Sequence, residues 1–252
     1  MALLEVNNLS KFFGGLKAVS AVSFDVPQGN IKAIIGPNGA GKTTLFNLIA
    51  GSIRPDCGSV RFKNSSIFGL PPYRIAQRGI LRTFQNIKLF PNLSVLENVM
   101  AGMHVKGRAG LAAGMLRLPQ ARAEEAFISE KAHEMLAFFN IGELAKRNAA
   151  HLSFGQQRAV EFARALASGP ALLLLDEPAA GLNTQETAQL ASQIAHIRGK
   201  GVTILIVEHD MSLIMDISDE IVVVSSGQKI AEGKPSDIQR NADVVRVYLG
   251  EE

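Results

Sequence analysis

The chain has 252 residues but only one cysteine, no tryptophan and a formal net charge of +3. Because Cys57 is the only thiol, a disulfide within the chain is excluded, and its position between Asp56 and Gly58 is typical of a turn residue rather than a nucleophile. Lys and Arg are scattered along the chain instead of forming a basic cluster. The small and scattered charge therefore argues against a nucleic-acid partner. Nucleic-acid binding stays a minor alternative.

Long hydrophobic runs are also missing. The longest, such as Ala171 to Leu175 and Ile221 to Val224, are far shorter than the ~20 residues that cross a bilayer as a helix. The amino terminus, Met1 to Glu5, lacks a basic start followed by a long apolar stretch, so we expect no secretory signal. These absences predict a cytoplasmic location and no membrane span.

A glycine-rich run stands between an apolar stretch, Ile31 to Ile35, and a helical pattern formed by Leu45, Leu48 and Ile49. This context of strand, loop and helix is that of a phosphate loop, and it disfavours a chance glycine-rich turn. Backbone N–H groups of such a loop surround phosphate oxygens, its Lys reaches the β- and γ-phosphates, and its first Thr holds Mg²⁺. The predicted loop consists of Gly36, Pro37, Asn38, Gly39, Ala40, Gly41, Lys42, Thr43 and Thr44. We therefore expect the chain to bind a nucleoside triphosphate.

The remaining pattern predicts an α/β fold. Apolar residues alternate with polar ones in the first sixty residues, which indicates an antiparallel β layer. Helical spacing from about 96 to 167 indicates a helical subdomain inserted in a single domain of residues 1–252. From Gly169 onward, β-rich runs alternate with helical ones, as in a parallel sheet. The Gly-, Ala- and Arg-rich stretch from Gly107 to Pro119 is expected to be a mobile loop or a frayed helix pair.

Two acidic residues, Asp176 and Glu177, end the apolar run Leu172 to Leu175. Ligands bind at the carboxyl ends of parallel strands, so Asp176 is expected to hold Mg²⁺ and Glu177 to orient or deprotonate the attacking water. If the strand persists, the two side chains point in different directions. The alternative is a solvated acidic turn. A third polar residue, His209, follows Glu208 after the run Val202 to Val207. It is a candidate contact to the γ-phosphate or the water, although a lone His there is usually a structural or surface residue.

The segment Leu152 to Gln157 has two interpretations. Ser153 and Gln156 fit a capping box that begins a helix. The same helix start, with the Ser153 hydroxyl and a backbone exposed by Gly155, is also an anion site. The two interpretations are compatible.

The motifs in this order resemble those of ATP-binding-cassette (ABC) ATPases, with residues 36–44 as Walker A, 152–156 as the signature and 172–177 as Walker B. The resemblance implies that Gln85 contacts Mg²⁺ or the attacking water, that His209 is the switch histidine, and that Phe13 or Phe12 stacks on adenine. It also implies a head-to-tail pair of cassettes, in which Ser153, Gly155 and Gln156 of one cassette touch the ATP held by the other. The expected ligands are thus ATP and Mg²⁺.

Two positions depart from the family pattern. Phe154 stands where the signature usually has Gly, and Asn183 stands where the loop after Walker B usually ends in Asp. Neither change removes a phosphate donor or a metal ligand. Asn183 can equally serve as a helix cap with Glu186 as its partner.

Several segments resemble, in their exact residues, the ATP-binding subunit of branched-chain amino-acid importers. They are Thr83 to Asn86, Glu177 to Asn183 and Tyr248 to Gly250. The segment Leu89 to Val99 resembles the surface that receives a membrane subunit. This resemblance implies membrane permease subunits as partners, a second cassette that is identical or a paralogue, and indirectly a solute-binding protein. It implies a position on the inner face of the membrane. Alternatives are an importer of urea or another small solute, a lipid exporter, a soluble non-transport ABC ATPase, and a regulatory module without turnover.

Overall fold

The computed structural model describes residues 1–83, 87–103 and 119–249. The chain forms two compact units, one made of Met1–Gln85 with Ala171–Glu252 and the other of Asn86–Pro170. Gln85 and nearly all of the predicted loop from Gly107 to Pro119 lie outside the described residues. The single-domain interpretation with an inserted helical subdomain stays a prediction.

The described elements follow one another in chain order. Before residue 104 they are β1 (Ala2–Phe13), β2 (Leu16–Pro27), β3 (Ile31–Ile35), α1 (Lys42–Ile49), β4 (Cys57–Phe62), β5 (Ser65–Ser66), α2 (Pro72–Gln77), β6 (Ile80–Arg82) and α3 (Val95–Ala101). From residue 119 they are α4 (Pro119–Phe138), α5 (Phe154–Ala167), β7 (Leu172–Asp176), α6 (Thr184–Gly199), β8 (Thr203–Val207), α7 (Met211–Ile217), β9 (Glu220–Ser225), β10 (Gln228–Gly233), α8 (Pro235–Arg240) and α9 (Ala242–Leu249). No helix among these described residues has both the length and the apolar character to cross a bilayer.

The first unit contains two sheets. The larger has the strand order β10-β9-β3-β8-β7-β6, and its neighbours pair in parallel except for β10 and β9. The smaller has the order β2-β1-β4-β5 and is antiparallel throughout. The predicted parallel sheet and antiparallel layer are thus both present.

The register of the large sheet brings the predicted site residues to one edge. Val207 at the end of β8 pairs with Ile34 of β3 on one side and with Asp176 of β7 on the other. The phosphate loop follows β3, Glu177 follows β7 and His209 follows β8. Because parallel strands end level at the same edge, three separate stretches of sequence meet there.

Burial explains why these segments form central strands. Every residue of β3, β7 and β8 is buried, as expected for strands covered on both faces. In β4 the buried positions alternate from Val60 to Phe62, as in a strand with one covered face. Side chains of both sheets and of α1 pack in one hydrophobic cluster, which fixes the phosphate loop on a rigid base.

The second unit contains α3, α4 and α5, and local hydrogen bonds set the beginnings of α3 and α5. Ser94 and Glu97 form a capping box at α3, and Ser153 and Gln156 form one at α5. The predicted helical character of this region is observed in its described residues. The helix that begins at this second capping box ends at Ala167, two residues before Gly169, which has φ 61°.

Candidate nucleotide site

The phosphate loop requires glycine at two positions because other backbone atoms lie against it. A Cβ atom on Gly36 would lie 2.0 Å from the Val224 carbonyl oxygen, and one on Gly41 would lie 2.3 Å from the Ala18 carbonyl oxygen. Gly41 also has φ 97°, a left-handed conformation that favours glycine, and it immediately precedes α1. The loop is therefore pressed between β2 and β9, with its backbone shape fixed.

Lys42 is the cation of this loop. Its Nζ atom donates to the carbonyl oxygens of Gly36 at 2.7 Å and Pro37 at 2.9 Å, and the residue is only 6% exposed. Burial lowers the pKa of Lys42 from its usual value, and the negative charge of Glu177 acts in the opposite direction. An ammonium group at this place can donate charge-assisted hydrogen bonds to phosphate oxygens, which are stronger acceptors than carbonyl oxygens.

A cavity of about 520 Å³ lies over the loop. It is lined by residues 38–44, by Phe13, Leu16, Lys17 and Ala18, and by Glu177, Ser226 and Gly227. The Phe13 ring is 47% exposed, and its place in the lining favours it over Phe12 as the ring that stacks on adenine. Backbone N–H groups, a buried ammonium group and an aromatic ring thus meet in one space, and this combination fits a nucleoside triphosphate.

Asp176 is the last residue of β7 and is nearly buried, at 7% exposure. Its Oδ2 atom accepts a hydrogen bond from Arg82 Nη2 at 2.6 Å, and Arg82 Nη1 donates to Asn47 Oδ1 at 2.6 Å. Arg82 therefore ties the predicted metal ligand to the helix that begins with Lys42 and Thr43. Thr43 lines the cavity, whereas Asp176 is not among its lining residues. The Thr43 hydroxyl and the Asp176 carboxylate are oxygen donors of the kind that Mg²⁺ prefers.

Glu177 lies outside β7 rather than continuing it. The strand ends at Asp176, and Glu177 has φ 44° with its N–H donating to the Val207 carbonyl oxygen at 2.8 Å. The condition under which the two carboxylates were expected to diverge, a strand that persists through Glu177, is not met, because a left-handed residue turns the chain there. Glu177 reaches the same cavity as Lys42 and Thr43.

His209 follows β8, and its imidazole is 59% exposed. Its Nδ1 atom lies 3.4 Å from Glu208 Oε2, a carboxylate that is fully buried. The ring thus has one nitrogen beside a carboxylate and presents much of its surface to solvent.

The predicted signature residues lie in the second unit. Ser153 Oγ accepts from the Gln156 N–H at 3.4 Å, and Gln156 Oε1 accepts from the Ser153 N–H at 3.1 Å. Gly155 is exposed, with no other atom near the place of a Cβ. The capping interpretation is observed, and the role of Ser153, Gly155 and Gln156 in holding a nucleotide stays a prediction. Asn183 likewise caps α6 with Glu186 as its partner.

Comparison of the sequence with models of known protein families shows to which family this chain belongs. The family model described as ABC transporter matches residues 19–180, which is more than half of the chain. The chain belongs to the ABC transporter family. A second model, described as branched-chain amino acid ATP-binding cassette transporter, matches residues 228–252 of the cassette.

Similar proteins cover the cassette from end to end. The high-affinity branched-chain amino acid transport ATP-binding protein BraF of Pseudomonas aeruginosa is 44% identical over 99% of this chain and 98% of its own length. The protein LivG of Escherichia coli, which carries the same description, is 43% identical with the same coverage. A probable branched-chain amino acid transport ATP-binding protein of Methanocaldococcus jannaschii is 36% identical over the whole chain and 98% of its own length.

Solved structures confirm the predicted fold. An ABC transporter cassette in its ADP conformation has a TM-score of 0.87 and 35% identity, and a nucleotide-free cassette has a TM-score of 0.85 and 34% identity. Both comparisons cover 100% of each chain. The cassette is accordingly a nucleotide-binding ATPase with the predicted α/β fold, and the family resemblance seen in the sequence is confirmed.

The sequence did not predict the roles of two residues at this edge of the sheet. Arg82 holds Asp176, and Glu208 accepts backbone N–H groups beside His209. A charged residue at the end of an apolar run was the only signal available for each. It did not indicate which partner the side chain would find.

Proposed function

We propose that this chain hydrolyses MgATP to drive the import of branched-chain amino acids by a membrane transporter. The observation that carries the proposal is the shared cavity, in which Lys42 and Thr43 of the phosphate loop face Glu177. Phosphate binding and a group able to act on water are thereby joined in one space.

Each residue has a defined task in this proposal. Backbone N–H groups of residues 38–44 and the Lys42 ammonium bind the phosphates, where negative charge develops during the reaction. Glu177 orients or deprotonates the attacking water. His209 and Gln85 contact the γ-phosphate or the water. Mg²⁺ bound with ATP would neutralise phosphate charge, and Thr43, Asp176 and Gln85 would hold it.

A second cassette and membrane subunits complete the proposed machine. The ATP held by Lys42 of one cassette would be touched by Ser153, Gly155 and Gln156 of the other cassette. Phe13 of the cassette that holds the ATP would stack on the adenine. Permease subunits in the membrane would receive the resulting movement, and a solute-binding protein would deliver the amino acid to them. The cassette would then work in the cytoplasm, on the inner face of the membrane.

The choice of solute is supported by relatives rather than by the site. BraF and LivG are described as high-affinity branched-chain amino acid transport proteins, and they match almost the full chain. The family model that matches residues 228–252 also names branched-chain amino acids in its description. The alternatives are a urea or other small-solute importer, a lipid exporter and a non-transport ABC ATPase.

Reconstitution tests the proposal. The purified chain is expected to hydrolyse ATP in the presence of Mg²⁺. In vesicles with the permease subunits that co-purify with it, leucine uptake is expected to require ATP on the cassette side. If no permease subunit co-purified with the cassette, the non-transport alternative would be favoured, and uptake of urea but not leucine would correct the solute.

A further inference from the structure

Glu208 is a carboxylate at the end of β8 that the proposed reaction does not use. Its side chain is 0% exposed, although it lies between the strand and His209. Removing a carboxylate from water is costly unless hydrogen bonds satisfy its oxygen atoms. The hydrogen-bond partners of Glu208 must therefore offset this cost.

Both oxygen atoms of Glu208 accept hydrogen bonds from backbone N–H groups. Oε1 accepts from Ala179 at 2.7 Å, and Oε2 accepts from His209 at 2.7 Å and from Asp210 at 3.3 Å. Ala179 lies two residues after Glu177. One buried carboxylate thus joins the loop that carries Glu177 to the loop that carries His209.

Other bonds make this junction rigid. The Glu177 N–H donates to the Val207 carbonyl oxygen at 2.8 Å, immediately before Glu208. Asp210 accepts from the Leu213 N–H at 3.1 Å and so caps α7 on the other side. Glu208 Oε2 also lies 3.4 Å from His209 Nδ1, so the same carboxylate stands beside the imidazole.

We propose that Glu208 is a positioning residue for ATP hydrolysis, which holds the Glu177 loop and the His209 loop in one arrangement. The inference rests on the proposed function, because it assigns Glu208 a part in that reaction. Glu208 touches neither the phosphate loop nor Lys42 through the hydrogen bonds that define its position. Its effect is therefore expected on the rate of hydrolysis rather than on ATP affinity.

The variant Glu208→Gln keeps the size of the side chain. One of its terminal atoms becomes an NH₂ group, which cannot accept a hydrogen bond, so one of the two loops loses its anchor. We expect kcat to fall by roughly 10- to 100-fold, with KM for ATP nearly unchanged. Combined with His209→Ala, the loss is expected to be smaller than the product of the two single losses, because both changes disturb the same unit.

A matched control is Asp219→Asn. Asp219 also accepts a backbone N–H, that of Ile31 at 2.8 Å, at the opposite end of β3 from the phosphate loop. Its isosteric change is expected to lower the melting temperature without lowering kcat of the folded protein. If Glu208→Gln retained the wild-type kcat, or lost only what its folded fraction explains, the inference would be overturned.

Hydrogen exchange of the wild-type chain gives a second test that needs no variant and no turnover. The amides of Ala179 and His209 are expected to exchange slowly and at similar rates, since one carboxylate protects both. An Ala179 amide that exchanges as fast as an unprotected loop amide would overturn the inference. A wild-type chain without ATP hydrolysis would instead contradict the proposed function, and the exchange measurement would still decide whether Glu208 joins the loops.

Discussion

At the residue scale, Lys42 is the group on which phosphate binding depends. Its Nζ donates to two carbonyl oxygens of its own loop, and charged phosphate oxygens are stronger acceptors than these. Because Lys42 would contact the phosphates before and during the reaction, Lys42→Ala is expected to lose ATP affinity and turnover together. Equilibrium titration and steady-state kinetics measure the two losses. Near-normal values of both would contradict the assignment of the phosphate loop.

The ion pair between Arg82 and Asp176 supports a prediction about stability. Both side chains are largely buried, and Arg82 Nη2 lies 2.6 Å from Asp176 Oδ2. In Arg82→Ala the carboxylate keeps its charge without this partner, so the free energy of unfolding is expected to fall by about 3 kcal/mol.

Adding Asp176→Asn to Arg82→Ala removes that charge and is expected to recover part of the loss. Chemical denaturation of the two single variants and the double variant measures the coupling. A double variant whose loss equals the sum of the single losses would show that the two side chains do not stabilise each other.

The residues missed in the sequence share one physical property. Arg82 and Asp176 are 94 positions apart, and Glu208 and Ala179 are 29 positions apart. A hydrogen bond between such residues leaves no periodicity and no local motif in the sequence. Lys42 and Thr43, in contrast, belong to a contiguous loop whose spacing is itself the signal.

At the element scale, the phosphate loop depends on the space around Gly36. A methyl group there would meet the Val224 carbonyl oxygen at 2.0 Å, and this backbone atom of β9 cannot move without disturbing the sheet. Gly36→Ala is therefore expected to destabilise the fold by more than 3 kcal/mol, in the range of the larger single-residue effects.

The matched control is Gly199→Ala, at the end of α6, where the added Cβ would have no neighbour within 4 Å beyond the adjoining residues and the backbone of its own helix. This change is expected to be neutral or slightly stabilising. Thermal unfolding compares the two variants. A Gly36→Ala protein as stable as Gly199→Ala would contradict the close approach of the loop to β9.

The start of α5 separates two roles of Ser153. Its hydrogen bond to the Gln156 N–H is a helix cap, so Ser153→Ala is expected to cost about 1 kcal/mol of stability. Ser153→Arg adds bulk and charge on an exposed surface, where a second cassette would lie in the proposed dimer. It is expected to keep ATP binding and abolish cooperative hydrolysis. Hydrolysis equal to that of the wild type, after correction for the folded fraction, would leave capping as the only role.

The long or strongly patterned elements were predictable, and the short ones were not. The strand at residues 31–35 has the predicted bounds, because a continuous apolar run marks it clearly. The helix Pro72–Gln77 and the three-residue strand Ile80–Arg82 were missed. The latter is recognisable only from its pairing with β7, which a local pattern does not contain.

At the scale of the whole molecule, the nucleotide cavity lies within the first unit, and the predicted signature residues lie in the second. The proposed head-to-tail pair of cassettes uses both units, since each cassette would lend its Ser153 and Gly155 to the ATP of the other. A state in which ATP is bound and not hydrolysed is therefore expected to be a dimer. Light scattering with and without ATP would detect it.

The most direct measurement is the rate of ATP hydrolysis by Glu177→Gln, made together with equilibrium binding of MgATP. The change keeps the shape of the side chain and removes its charge and basicity. Our account predicts nearly unchanged binding, hydrolysis lower by roughly 10²–10⁴-fold, and accumulation of the ATP-bound dimer. Hydrolysis at the wild-type rate would contradict the account, because Glu177 would then not be the group that acts on water in this cavity.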